Sequence, residues 1–293
     1  MGHQIYEAIV DGILGGGVYA LMAVGLTLIF GVLDIINIAQ GILVVLGAYL
    51  SYVLSVHLHI GLFVGLLITV PVMFVIGVAI QVLFIRPLHG RDRTSMSLLA
   101  SYAVALIIEG ILYRFFGPDY VVLKASYITS SVYIFGFYLP YIYLYGFALA
   151  VACVAAIYLL LYRTRFGRSV RATMQDQTAA RLVGINVNRV AALTFGIGVA
   201  VTAVGGMMFG ATSGGFNPNS GYDLISRLLA IVILGGLGSI GGALAAALLM
   251  TTAESLVDIW SPDWAVVVFY VVLVLVLVFR PAGLFGRSTA RAQ

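Results

Sequence analysis

Charge is what this sequence has least of. Only 9% of its 293 residues are charged, and it holds one cysteine, Cys153, and one lysine, Lys124. With 62% hydrophobic residues and a mean hydropathy of +1.12, the shortage of charge excludes a soluble globular domain. A lone cysteine in an apolar run excludes an intrachain disulfide and a thiolate metal site. The single lysine excludes a nucleotide-hydrolysing motor within the chain. A P-loop needs GxxxxGK[ST], and Lys124 follows Val121-Val122-Leu123 instead. His3, His57, His59 and His89 form no HExxH, and no Ser/His/Asp arrangement stands out, so a membrane enzyme is not expected. The first ten residues hold Glu7 and no basic residue, unlike the charged start of a cleavable signal peptide, so the first span is expected to be retained.

What is present is a series of long apolar runs. Ile9–Phe30 is long enough to cross a hydrocarbon core of about 30 Å at 1.5 Å per residue, and its Gly12, Gly15, Gly16 and Gly17 permit close helix approach. The next piece, GVLDIINIAQG from Gly31 to Gly41, places Asp34, Asn37 and Gln40 in an apolar context and predicts a break in the helix. Spans follow at 42–58, 62–85 with a kink at Pro71, 95–116 and 141–162. The tyrosine-rich interval 117–140 suits an interfacial belt. After a polar interval come a span at 191–211, a polar turn at 212–223, and a stretch at 224–256 too long for one simple helix. The last is interrupted by the glycine cluster Gly235–Gly242. Val266–Phe279 closes the series. The fold class expected is therefore an all-α integral membrane protein, a polytopic helical bundle of about eight spans with interrupted or re-entrant segments.

Of fifteen basic residues, twelve fall in three clusters, at 86–93, 163–189 and from 280 onward. Short basic loops face the cytoplasm, so all three are expected on that side and 117–140 on the periplasmic side. The net charge of +4 thus orients the chain in the lipid bilayer and does not point to nucleic acid. Even numbers of crossings must separate the clusters, yet three hydrophobic stretches lie between Arg189 and Arg280. The middle one is either re-entrant or two crossings. Interruptions at Asp34–Gly41 and Gly235–Gly242 suggest a possible inverted repeat with the substrate path at the breaks.

The longest polar interval is FGRSVRATMQDQTAARLVGINVNRV, Phe166–Val190. Within it, Gln175, Asp176, Ala179, Ala180 and Gly184 read as a short helix ended by glycine, flanked by Arg171 and other arginines. It is the surface shown to a soluble partner.

The pieces INIAQGILVVLGAYLSY (36–52), RPLHG (86–90), 166–198, NPNSGYD (217–223), ILGGLGSIGGALAAALL (233–249) and the terminal RPAGLFGR resemble the permease subunits of branched-chain amino acid ABC importers. The match is best to the shorter of the two partner permeases, the LivH type, and it covers nearly the whole chain in order. The resemblance implies a single transmembrane permease domain over 1–293 in a bacterial inner membrane. It further implies a second homologous permease, two cytoplasmic ATPase subunits that bind ATP and Mg, and a periplasmic substrate-binding protein. The chain itself would hold no cofactor or metal. Permeases of this kind dock their ATPases through a loop with Glu-Ala-Ala, three residues, then Gly. Thr178-Ala179-Ala180 and Gly184 are similar, with threonine in the glutamate's place, which implies a coupling loop at about 163–189. Departures from the family pattern at Gln40, Ile42, Gln81, Val82 and Arg227 leave open cargo such as urea, amides or other amino acids.

Two groups of residues are thereby singled out. Arg171, Gln175, Asp176, Ala179, Ala180 and Gly184 are expected to couple to the ATPase. Asn37, Gln40, Gly41, Gly235, Gly236, Gly238 and Ser239 are expected to line a translocation path, because polar groups and flexible backbone at membrane depth must meet protein or water. The rival from another class is a secondary transporter or channel. It would need ionisable groups near the midplane, and Asp34, Glu109, Arg227 and Glu254 are the candidates.

Overall fold

The computed structural model describes residues 2–88, 93–123, 125, 128, 131–134 and 137–286. In lipid every backbone N–H and C=O must find a partner within the protein, and apolar runs of this length satisfy that demand as helices. Helix α1 spans Gly2–Leu33, α2 Gln40–His57 and α3 Leu62–Ile80, the last continued by a wider π-turn at Gln81–Ile85. Helix α4 spans Arg93–Phe116. A short antiparallel hairpin follows, β1 Ser131–Ile134 and β2 Phe137–Pro140, in the tyrosine-rich interval. Then come α5 Tyr141–Arg163, α6 Arg165–Gln175, α7 Gln177–Leu182 and α8 Val187–Thr212. Helix α9 covers Ser220–Gly235, α10 Ile240–Asp258 and α11 Pro262–Phe279. Eight helices among the described residues are long and apolar enough to cross a membrane, as the hydropathy predicted. Lys124, His89, Gly90, Arg91, Asp92, Arg287 and Arg291 lie outside the described residues.

Small residues set which helices touch. Gly12 lies against Thr252, and Gly16 against Thr251 and Leu248, so α1 and α10 run antiparallel. Gly77 lies against Gly196 and Val199, which makes α3 and α8 a second antiparallel pair. Where α1 and α8 cross, Gly25 meets Gly198. These contacts carry the packing because lipid supplies no hydrophobic drive for helices to associate.

The basic clusters gather at one end. Met174 of α6 lies against Gly31 and Gly238, and Gly236 packs on Gly286 just beyond Arg280. The π-turn before Arg86 touches α8, whose first turn holds Arg189. This is the basic end. The starts of α1, α5 and α11 and the ends of α8 and α10 form the far end.

Helices α1–α4 and α8–α11 run in opposite senses through the bundle, each set with one break, but the second break is not the one expected from the glycines. α1 descends to the basic end, and residues 34–39 climb back before α2 starts beside Gly25, about 12 Å above the end of α1. α8 rises to the far end, and residues 213–219 dip back before α9 starts. Gly41 meets Gly221 at that point, so the two half-depth helices begin at one level and run in opposite directions. The counterpart of Asp34–Gly41 is therefore 213–221, which composition had marked only as a polar turn. Both breaks carry asparagine three residues before the glycine's neighbour, in Asn37-Ile-Ala-Gln-Gly41 and Asn217-Pro-Asn-Ser-Gly221. The glycine cluster at 235–242 instead makes the turn between α9 and α10 at the basic end. Gly236 and Gly238 hold φ of +96° and +82° there, a region that favours glycine. The middle stretch is thus a half-depth helix followed by a full one.

Candidate functional site

Three polar places stand out in the apolar bundle, one at each end and one midway. At the basic end, Asp176 caps α7: its Oδ1 accepts from the backbone N–H groups of Thr178 and Ala179 at 2.7 and 3.0 Å. Gly184, at φ +83°, ends the helix. The Gly184 N–H donates to the Arg181 carbonyl, and the Ile185 N–H to that of Ala180, each at 3.0 Å. This pattern closes a helix on a left-handed glycine. Asn186 then caps α8 by accepting from the Arg189 N–H at 3.1 Å. Ala180 is buried while Ala179, Leu182 and Val183 project outward, Leu182 with 85% of its surface exposed. The Gln177 side-chain amide donates to the Val32 carbonyl at 3.1 Å, which fastens α7 to the last turn of α1. Arg171 lies over the Tyr162 ring, 4.7 Å from its centroid, and Gln175 ends α6 in solvent.

Midway, Asn37, Gln40 and Thr202 are all buried and form a chain. The Asn37 amide donates to Gln40 Oε1 at 3.2 Å, the Gln40 amide donates to Thr202 Oγ1, and the Thr202 hydroxyl donates to the Gly198 carbonyl at 2.9 Å. The chain ties the first break to α8. On the outer face of the same junction, the Tyr222 hydroxyl donates to Glu109 at 2.6 Å beside a small cleft between Ile38, Ile42, Pro218 and Ile225. The second break is held from the far end, where Val121 and Phe216 exchange two backbone hydrogen bonds of 2.9 Å.

At the far end lies a cavity of about 500 Å³ between α1, α5, α8 and α10. Its lining includes Asp11, Pro140, Ser213 and Ser255 together with Met22 and Arg227. Arg227 on α9 reaches Glu254 on α10 at 2.7 Å, with the Phe269 ring 5.0 Å and the Tyr19 ring 5.8 Å from the guanidinium.

The sequence profile of the family described as branched-chain amino acid transport system, permease component, matches residues 8–277. The chain belongs to this family. Among its relatives, the high-affinity branched-chain amino acid permease protein BraD of Pseudomonas aeruginosa is 28% identical over 97% of both chains. LivH of Salmonella typhimurium is 29% identical over 94% of both chains. LivM of Escherichia coli is 30% identical over 49% of this chain and 34% of its own length. No solved structure matches the chain.

In this permease the residues expected to couple stand together on α6, α7 and the turn after them. Those expected along a path are divided. Asn37, Gln40 and Gly41 sit at the midway junction, whereas Gly235, Gly236, Gly238 and Ser239 form the turn at the basic end. There Gly235 packs on Gly242, and Ser239 caps α10 by accepting from the Gly242 N–H at 3.1 Å. Sequence reading missed Gln177, Leu182, Val183, Thr202 and the Arg227–Glu254 pair. An apolar Leu-Val pair inside the longest polar interval was the signal available for two of them.

Proposed function

We propose that this permease is the transmembrane subunit of an ATP-driven importer that carries branched-chain amino acids, or a closely related small polar solute, across a bacterial inner membrane. The whole chain acts as one permease domain, with the basic end in the cytoplasm. It pairs with a second, homologous permease, as the partial likeness to a LivM protein suggests. Two ATPase subunits bind ATP and Mg and do the hydrolysis, a periplasmic binding protein delivers the solute, and this chain has no catalytic role or cofactor of its own.

The observation that carries the reading is helix α7. It is short, capped at both ends, exposed, and fastened through Gln177 to the Val32 carbonyl of α1, two residues before the first break. Leu182, Val183 and Ala179 enter a groove of the ATPase, while Arg171, Arg181, Gln175 and Asp176 give steering and hydrogen bonds at its edge. Movement of α7 is then felt at Val32 and, through Met174 of the neighbouring α6, at Gly31 and Gly238. The breaks are where the wall of the route changes shape. Asn37, Gln40 and Gly41 lie midway along it, and Gly235, Gly236, Gly238 and Ser239 close it at the cytoplasmic end.

Gly184→Asp tests this. Its side chain would enter a left-handed backbone position at a cost of about 1–2 kcal/mol and set a negative charge on the docking surface. Co-purification of the ATPase subunits should fall at least tenfold and solute-stimulated hydrolysis should vanish, while the permease stays inserted. Normal values of both would refute the docking assignment, and uptake that persists without ATPase would favour a secondary transporter.

A further inference from the structure

We propose that the far-end cavity is a binding site for the solute within this one chain. Arg227 takes the carboxylate of an α-amino acid, and Glu254 its ammonium group. The proposal rests on the importer reading above and names the chemistry of its cargo.

An ion pair within a membrane-spanning bundle is costly, and an apolar pair of similar volume is often as stable. A stabilising role alone therefore gives little reason for charge in the wall of this cavity. Each of the two side chains keeps 19% of its surface accessible, so the pair is neither sealed in protein nor free in water. Arg227 is braced by the rings of Phe269 and Tyr19 against its face. Such bracing fixes the guanidinium plane and leaves its edge for hydrogen bonds, the geometry suited to a carboxylate. A zwitterion entering between the partners exchanges one ion pair for two, with no net change in charge. Val18, Met22 and Phe209 give the same cavity an apolar wall for a branched side chain. At about 500 Å³ the space is ample for a ligand of this class.

Gly15 is the reporter position. It lines the cavity, and a Cβ added there meets no atom within 4 Å, so a side chain projects into open space without disturbing the ion pair. The experiment uses the assembled importer in proteoliposomes with Gly15→Cys in a Cys153→Ala background, alkylated from the far side by a charged thiol reagent. L-leucine without binding protein should slow alkylation at least tenfold. Leucinol, which lacks the carboxylate, and 4-methylpentanoate, which lacks the ammonium, should slow it less than twofold. Arg227→Gln should abolish protection by leucine. Equal protection by all three compounds, or by none, would overturn the proposal, and neither result depends on any variant of the ion pair folding. ATP-dependent leucine uptake by the same vesicles separates the two readings. Uptake without protection removes the site and leaves the importer. Protection without uptake keeps the site and removes the importer reading.

Discussion

The crossing of the two half-depth helices gives the sharpest quantitative test. At Gly41 an added Cβ would run into the Gly221 carbonyl oxygen and would lie 2.9 Å from both the backbone nitrogen and the Cβ of Ile225. These atoms belong to the backbone of α9 or are fixed to it, so no side-chain rotation relieves the clash. Restoring ordinary contact with Ile225 alone requires α9 to retreat by about 0.5 Å, and that gap is propagated to neighbours that lose dispersion contact in turn. Overpacking of a close interior costs about 1–3 kcal/mol, and Gly41→Ala should sit at the upper end because two rigid elements must part. Gly110→Ala is the control. Gly110 lies in α4 with no atom within 4 Å of an added Cβ, and removing a glycine from a helix interior gains about 0.5–1 kcal/mol. The assay is reversible unfolding of the purified chain in mixed micelles. A Gly41→Ala protein as stable as wild type would show that α2 and α9 do not meet as described, and an equal loss at Gly110 would show that the effect is not steric.

Two further outcomes follow from the same geometry. Thr202→Val strips Gln40 of its hydrogen-bond acceptor while keeping the volume, and should cost about 1–3 kcal/mol in that assay; no change would mean that the buried chain from Asn37 is not formed. Cysteine at Asp176 should be labelled only from the cytoplasm and at Ser213, at the far end of α8, only from the periplasm, both being exposed, and labelling from one common side would overturn the orientation.

The spans, the basic clusters and the glycine that ends α7 were legible because each is a local property of composition or of a cap. The partner of the first break was not. Clustered glycines at 235–242 drew the eye, yet they serve a tight turn, whereas 213–219 dips to mid-depth with an ordinary polar composition. Its one shared signature with the first break, asparagine and glycine at equal spacing, amounts to two residues. The Arg227–Glu254 pair was equally hidden. The two residues were named as separate midplane charges, but they stand on helices joined by a turn, and only the packing of α9 against α10 brings them to 2.7 Å.

Helix α5 has no counterpart in either half of the repeat, and its presence decides the chain's symmetry. Each half crosses or part-crosses the bilayer four times and so ends on the side where it began. Two such halves fused directly would be parallel copies. One additional crossing turns the second upside down. Equivalent turns of the two halves then face opposite compartments and opposite demands on charge. The turn between α3 and α4 carries Arg86 and Arg93, while the matching turn between α10 and α11 reads Ile259-Trp260-Ser261. Loops at equivalent positions are therefore the first place where the two halves must differ. Any ancestral likeness should therefore be sought in the buried helix crossings, where glycine meets glycine, and not in the segments that water touches.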